Sequence, residues 1–273
     1  KLASAGDLTF SGTMPVTDVD ITITTNTNGF NLIGNPYPSY IAGNTSADGT
    51  HNLISVNTAS LTEATIWLWN QATSSYDTFN LASSSLFISP AQGFFVNSNG
   101  ANTFSFTEAM QSHQDDSFQR TTNNRPEINL MLSNSTTTTD TEIFYIEGTT
   151  TGWDNGYDSS MFGGAANSFA VYTHLVSDSE GQNLGIQSLP DTDIESMIVP
   201  IGINAVSETE ITISVATQNL PDELDVYLED REEGSFTLLD TDTNYTTTLS
   251  ESLNGIGRYY LHTSAQVLSA DDL

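Results

Sequence analysis

Apolar side chains recur along this chain at every second position rather than at helical spacing. In residues 128–132, Ile128, Leu130 and Leu132 share one face, and in 211–215 so do Ile211, Ile213 and Val215. A period of two marks half-buried strands. Val19–Ile23 and residues 8–10, 65–68, 143–146, 226–228 and 259–261 are further short runs rich in β-branched or aromatic side chains. Clusters of Gly, Asn, Asp, Ser and Thr separate them, the chemistry of turns. No segment keeps a 3.6-residue apolar period over three turns, and the abundant threonine suits a pleated surface. The pattern predicts an all-β chain.

One stretch, 111–126, is polar, lacks the alternating pattern and ends in Pro126. Charge changes across it: residues 1–125 carry nine acidic and three basic side chains, and 126–273 carry twenty-five and two. Two antiparallel β-sandwich or jelly-roll modules are therefore expected, 1–122 and an acidic 123–273.

The most distinctive run is Gly29-Phe30-Asn31-Leu32-Ile33-Gly34-Asn35-Pro36-Tyr37-Pro38-Ser39-Tyr40-Ile41. Its first half reads as a strand that breaks at Gly34-Asn35, and the two prolines impose an extended, non-helical corner around Tyr37. A rigid structural corner is the favoured reading, with a ligand-facing Tyr37 or Tyr40 as the alternative. The run resembles an element recurring in large surface and secreted proteins of the Bacteroidota that carry a C-terminal type IX secretion sorting domain. Ser89-Pro90-Ala91-Gln92-Gly93-Phe94-Phe95-Val96 resembles the strand that follows in that family. Gly156-Tyr157-Asp158, Leu184-Gly185-Ile186, Val199-Pro200-Ile201-Gly202, Tyr227-Leu228-Glu229-Asp230 and Gly257-Arg258-Tyr259-Tyr260-Leu261 are similar, in order, to the β module that precedes the sorting domain. Met161 stands near a place where the family often has a basic residue. The resemblance implies an extracellular or outer-surface accessory or adhesin-like segment. Its partners would be other domains of its parent polypeptide and, through a sorting domain outside this sequence, the type IX secretion machinery.

Charge narrows the partners further. Five Lys and Arg stand against thirty-four Asp and Glu, a net charge of −29. Such a field repels nucleic acid and anionic lipid, leaving divalent cations and neutral surfaces such as uncharged polysaccharide. No apolar run approaches a membrane span, and Lys1 opens no signal peptide, so a segment of a longer exported chain is expected. With no cysteine, neither disulfides nor thiolate metal sites contribute.

Two constellations are candidates for binding. Trp67 and Trp69 are two apart and share a strand face; with Tyr76, and with Trp153 elsewhere, they are candidates for a glycan platform, since sugar C–H faces stack on indoles. Core or intermodule packing is the competing reading, and a carbohydrate-binding module attached to a polysaccharide-degrading enzyme is the alternative function. The second constellation joins Asp140 and Glu142 to Asp154, Asn155 and Asp158 on a glycine-containing loop, a set of oxygen donors suited to Ca2+ but without EF-hand spacing. Catalysis is not expected: His51, His113, His174 and His262 are scattered, and neither H-E-x-x-H, G-x-S-x-G nor a P-loop is present. The acid-rich patch Glu229–Gly234 reads as a hairpin with solvated charges.

Overall fold

Alternation along the chain is realised as strands nearly throughout: the protein is all-β. The computed structural model describes residues 12–26, 28–113, 124–164 and 167–269. The strand expected at 8–10 and the expected module boundary at 122/123 lie outside the described residues.

The first part contains β1 (Val19–Ile23), β2 (Phe30–Gly34), β3 (Tyr40–Ala42), β4 (Leu61–Asn70) and β5 (Ser75–Phe79). It continues with β6 (Phe87–Ile88), β7 (Gly93–Ser98), β8 (Asn102–Phe106) and β9 (Gln111–Ser112). They pair as β1–β8, β6–β3–β9 and β2–β7–β4–β5. A single turn of helix, α1 (Leu53–Asn57), starts where the Asn52 side chain accepts a hydrogen bond from the Ser55 N–H. The sheets and α1 enclose one core that includes Ile23, Leu53, Ile66, Phe94 and Phe106.

The proline-rich corner is a structural element of this core. Asn35 is buried, and its Nδ2 donates to the Ser39 and Ile88 carbonyls while Oδ1 accepts from the Tyr37 N–H. Tyr37 is itself buried, and its hydroxyl donates to the Phe106 carbonyl at 2.8 Å. The amide thus satisfies backbone groups that a corner takes out of the ladder.

The second part comprises β10 (Glu127–Ser133), β11 (Thr138–Tyr145), β12 (Ser159–Ser160), β13 (Ala170–Thr173), β14 (Leu184–Leu189) and β15 (Val199–Ala205). After them come β16 (Glu210–Gln218), β17 (Asp225–Asp230), β18 (Ser235–Leu239), β19 (Tyr245–Thr248) and β20 (Leu253–Ser264). All eleven belong to one sheet, ordered β18-β17-β20-β15-β13-β14-β11-β10-β16-β19, with β12 attached to β14. Strands β18 and β19 are consecutive in the chain yet lie at opposite ends of this order. The sheet therefore curls back on itself, and the Tyr245 hydroxyl on β19 reaches Asp230 on β17 at 2.6 Å. Ile128, Leu130 and Leu132 face its interior together with Ile211, Ile213 and Val215, as their spacing requires. Pairing is antiparallel almost throughout, as expected; one pair, β11 with β14, is parallel. Among the described residues no strand is shared between the two parts.

Candidate functional site

Strand β4 presents Trp67 and Trp69 on the same face, because alternate side chains point the same way. Their fates differ. Trp67 is fully buried, while Trp69 is 51 % exposed. The cover comes from the second part of the chain. Phe162, just after β12, inserts over this outer face with its ring centroid 4.0 Å from Tyr76, 4.9 Å from Phe95 and 4.8 Å from Phe30. Trp67 lies edge-on to Phe30 and Phe162, and its Nε1 donates to the Ser160 carbonyl at 3.0 Å. The flat indole pair that the sequence suggested is not formed: Trp67 is packing material for the junction between the two parts. Trp69 packs edge-on against Tyr76 at 5.1 Å. Trp153 is half-buried on the loop before β12. Asn155 on that loop docks at Ala64, five residues before Trp69 on β4 and so about 17 Å away along the strand.

The same loop holds three of the candidate calcium ligands, and the structure turns their oxygens toward N–H groups. Asp158 is fully buried; one carboxylate oxygen accepts from the Ser188 N–H at 2.7 Å and the other from the Asp154 N–H at 2.6 Å. Asp154 accepts from the backbone and hydroxyl of Thr150. Asn155 Oδ1 accepts from the Ala64 N–H across the junction at 2.9 Å. Asp140 and Glu142 are placed elsewhere, on one face of β11, where Asp140 accepts from Asn129. Among the described residues no three His, Asp or Glu side chains converge on a point that would hold a metal ion.

Further polar contacts complete the junction. Glu63 is buried on β4 and accepts from the Ser160 N–H at 3.0 Å. The Thr65 and Ser159 hydroxyls meet at 2.8 Å, and Asn80 donates to the Tyr157 carbonyl and to Ser159. The Leu81 N–H donates to the Gly156 carbonyl. Gly156 has a φ of +91°, and a Cβ there would come within 3.0 Å of Leu81 Cδ1. The positive φ demands glycine at this contact, and a Cβ would also press on the end of the Leu81 side chain. Phe162, Asn80 and Glu63 were not singled out by the sequence. A lone acid inside the otherwise apolar and threonine-rich β4 was the available signal for Glu63.

Burial shapes the electrostatics. It pushes the Asp158 carboxyl up to about 7, against the two N–H groups that favour its charge. Glu142 is likewise raised to about 7 by burial and then by the neighbouring charges of Asp140 and Glu127. Burial raises Glu63 too, opposed by the Ser160 N–H. These groups hold protons more tightly than free carboxylic acids do.

The patch 229–234 forms the expected hairpin, with Arg231, Glu232 and Glu233 exposed in its turn, but its first two acids are built into the sheet. Glu229 and Asp230 are buried. Arg258 grips Asp230 with Nε and Nη2 at 3.0 and 2.8 Å, while Arg231 and His262 hold Glu229. Each arginine among the described residues combines a carboxylate with an aromatic ring: Arg125 with Glu127 and Phe144, Arg231 with Glu229 and Tyr260, Arg258 with Asp230 and Tyr259. The guanidinium plane stacks while its edge pairs, a use lysine does not match.

Fold and junction together define an all-β protein in two parts, fastened by a loop that the second part inserts against the first. The chain belongs to the family described as Domain of unknown function (DUF8693), whose model matches residues 3–262. The match runs through both parts and so contains the junction. Comparison with curated proteins and with solved structures returned no match.

Proposed function

We propose that this chain is a non-catalytic accessory scaffold of a larger, type IX-secreted extracellular or cell-surface protein. In this role it is a rigid spacer that fixes the geometry of neighbouring domains of the same polypeptide. The observation that carries this is the junction. The most ligand-like loop of the sequence is braced within the second part by Asp154 and Asp158 and reaches the first through Asn155, and the most ligand-like indole, Trp67, packs in the same junction. Several buried hydrogen bonds of about 1 kcal/mol each, with the aromatic contacts around Phe162, favour one relative orientation. The likeness of the 29–41 run to Bacteroidota surface proteins supports the location.

Rigidity is directly measurable, because the chain has no cysteine to interfere with labelling. Spin labels on Ser74→Cys and Thr243→Cys, both exposed, report the distance between the two parts. A single narrow distance distribution is expected, broadening in Phe162→Ala. A broad distribution in the unmodified background removes the spacer role.

A further inference from the structure

The outer face of the β2-β7-β4-β5 sheet does not end where Phe162 stops covering it. Leu32 pairs with Phe95, and Phe95 with Trp67; Phe162 covers Phe95, Trp67 and the Tyr76 ring and leaves Leu32 open. Two residues along each strand the next row follows: Gly34 opposite Gly93 on β2 and β7, then Trp69 opposite Tyr76 on β4 and β5. Gly34, Gly93, Trp69 and Leu32 are all exposed. With strands about 4.8 Å apart, the two glycines leave a shelf about 10 Å wide, edged by the Leu32 side chain and walled by an indole that Tyr76 holds edge-on.

The fold itself does not ask for these glycines. Neither has a positive φ. A Cβ on Gly93 would lie 3.5 Å from Leu32 Cδ1 and one on Gly34 3.4 Å from the Gln92 carbonyl oxygen, ordinary contacts. Glycine within a strand weakens it by roughly 0.5–1 kcal/mol and marks a bulge or the close approach of another molecule. Here two stand side by side next to a half-exposed tryptophan, continuous with an aromatic face that already binds Phe162.

We infer that this shelf binds a neutral oligosaccharide, one or two pyranose rings lying on the glycine row with a C–H face against Trp69. The charge selects a neutral chain: at −29 the protein repels acidic glycans, and its described arginines are occupied by their own carboxylates. Geometry selects a sugar over an extended peptide. Backbone N–H and C=O groups lie in the plane of a sheet, so its face offers a peptide strand nothing to pair with, whereas a ring needs a flat floor and an aromatic wall. This activity is additional to the spacer role and independent of it.

Titration calorimetry of the whole chain with hexasaccharides of β-1,4-glucan, β-1,4-xylan and α-1,4-glucan tests the inference, with polygalacturonate as the acidic comparison. Binding of at least one neutral hexasaccharide is expected, weakened at least tenfold by Trp69→Ala and by Gly93→Val, retained in Trp69→Phe and unchanged in Trp153→Ala. Folding of each variant is checked by near-ultraviolet circular dichroism. Three results would each overturn the inference: silence toward all three neutral sugars, binding indifferent to Trp69→Ala, or sedimentation showing the Trp69 face closed in a dimer of the chain.

Discussion

The Trp67 indole N–H donates to the Ser160 carbonyl at 3.0 Å, joining positions ninety-three residues apart in the chain. With the Phe162 ring edge-on to the same indole, this bond is part of the contact between the two parts. A side chain that looked like a candidate ligand platform is thereby committed to holding the fold.

Removing the wedge uncouples the parts. Phe162→Ala is expected to cost about 2–4 kcal/mol, since a large aromatic contact is lost and the other rings do not close the gap. Unfolding in urea, followed by tryptophan fluorescence and by backbone circular dichroism, should then show two separate transitions where the unmodified chain shows one. A single transition at the original midpoint contradicts this coupling.

The protein is expected to be more stable at mildly acidic than at alkaline pH. Glu142 and Asp158 hold their protons up to about 7 when folded, whereas carboxyls in an unfolded chain ionise near 4. Their contribution is therefore fully present below about pH 4 and is lost as pH rises through 7. Glu229 and Asp230 act oppositely. Burial pushes both up, but Arg231 and His262 on one, and Arg258 and Tyr245 on the other, outweigh it and hold both below the usual range. Their contribution is present above about pH 4 and lost below it. Urea midpoints across pH 3–9 should peak between these limits, and Glu142→Gln should flatten the alkaline decline. An undiminished decline in that variant rules out Glu142 as its source.

Arg258→Ala is expected to be among the most damaging single changes, about 3–5 kcal/mol, because it strands the buried Asp230 carboxylate. Tyr245→Phe removes one hydrogen bond to the same charge and should cost about 1.5–3 kcal/mol. Equilibrium denaturation that ranks Tyr245→Phe as the worse of the two contradicts the assignment of Arg258 as the principal partner.

Gln187 lies on β14 opposite Ile143, fully buried, and among the described residues neither end of its amide has a hydrogen-bond partner. Gln187→Met keeps the volume and removes the unsatisfied groups, so it should raise stability by about 1–3 kcal/mol. A lower melting temperature would show that the amide is satisfied in solution.

Calcium should not stabilise the loop before β12. The oxygens of Asp158 and the Oδ1 of Asn155 already accept from N–H groups of the fold. Melting temperatures in millimolar calcium and in chelator, at equal ionic strength, are expected to agree. A rise of several degrees with calcium would place a cation among the candidate acids after all.

The sequence by itself determined the strands and their buried faces, because a period of two reports which side chains a pleated surface must hide. Ile128, Leu130 and Leu132 were legible in this way. So was the rigid corner at Asn35–Tyr37, since proline geometry is local. The tertiary structure alone decided what the polar and aromatic remainder does. Asp158 is a loop fastener rather than solvated charge because its partner N–H comes from Ser188, thirty residues on, and Asn155 finds Ala64 ninety-one residues back. Trp67 and Trp69 are chemically identical and two positions apart, yet Phe162 covers one and leaves the other half open. Partners so distant in sequence leave no periodic trace, and only closure of the sheets brings them together.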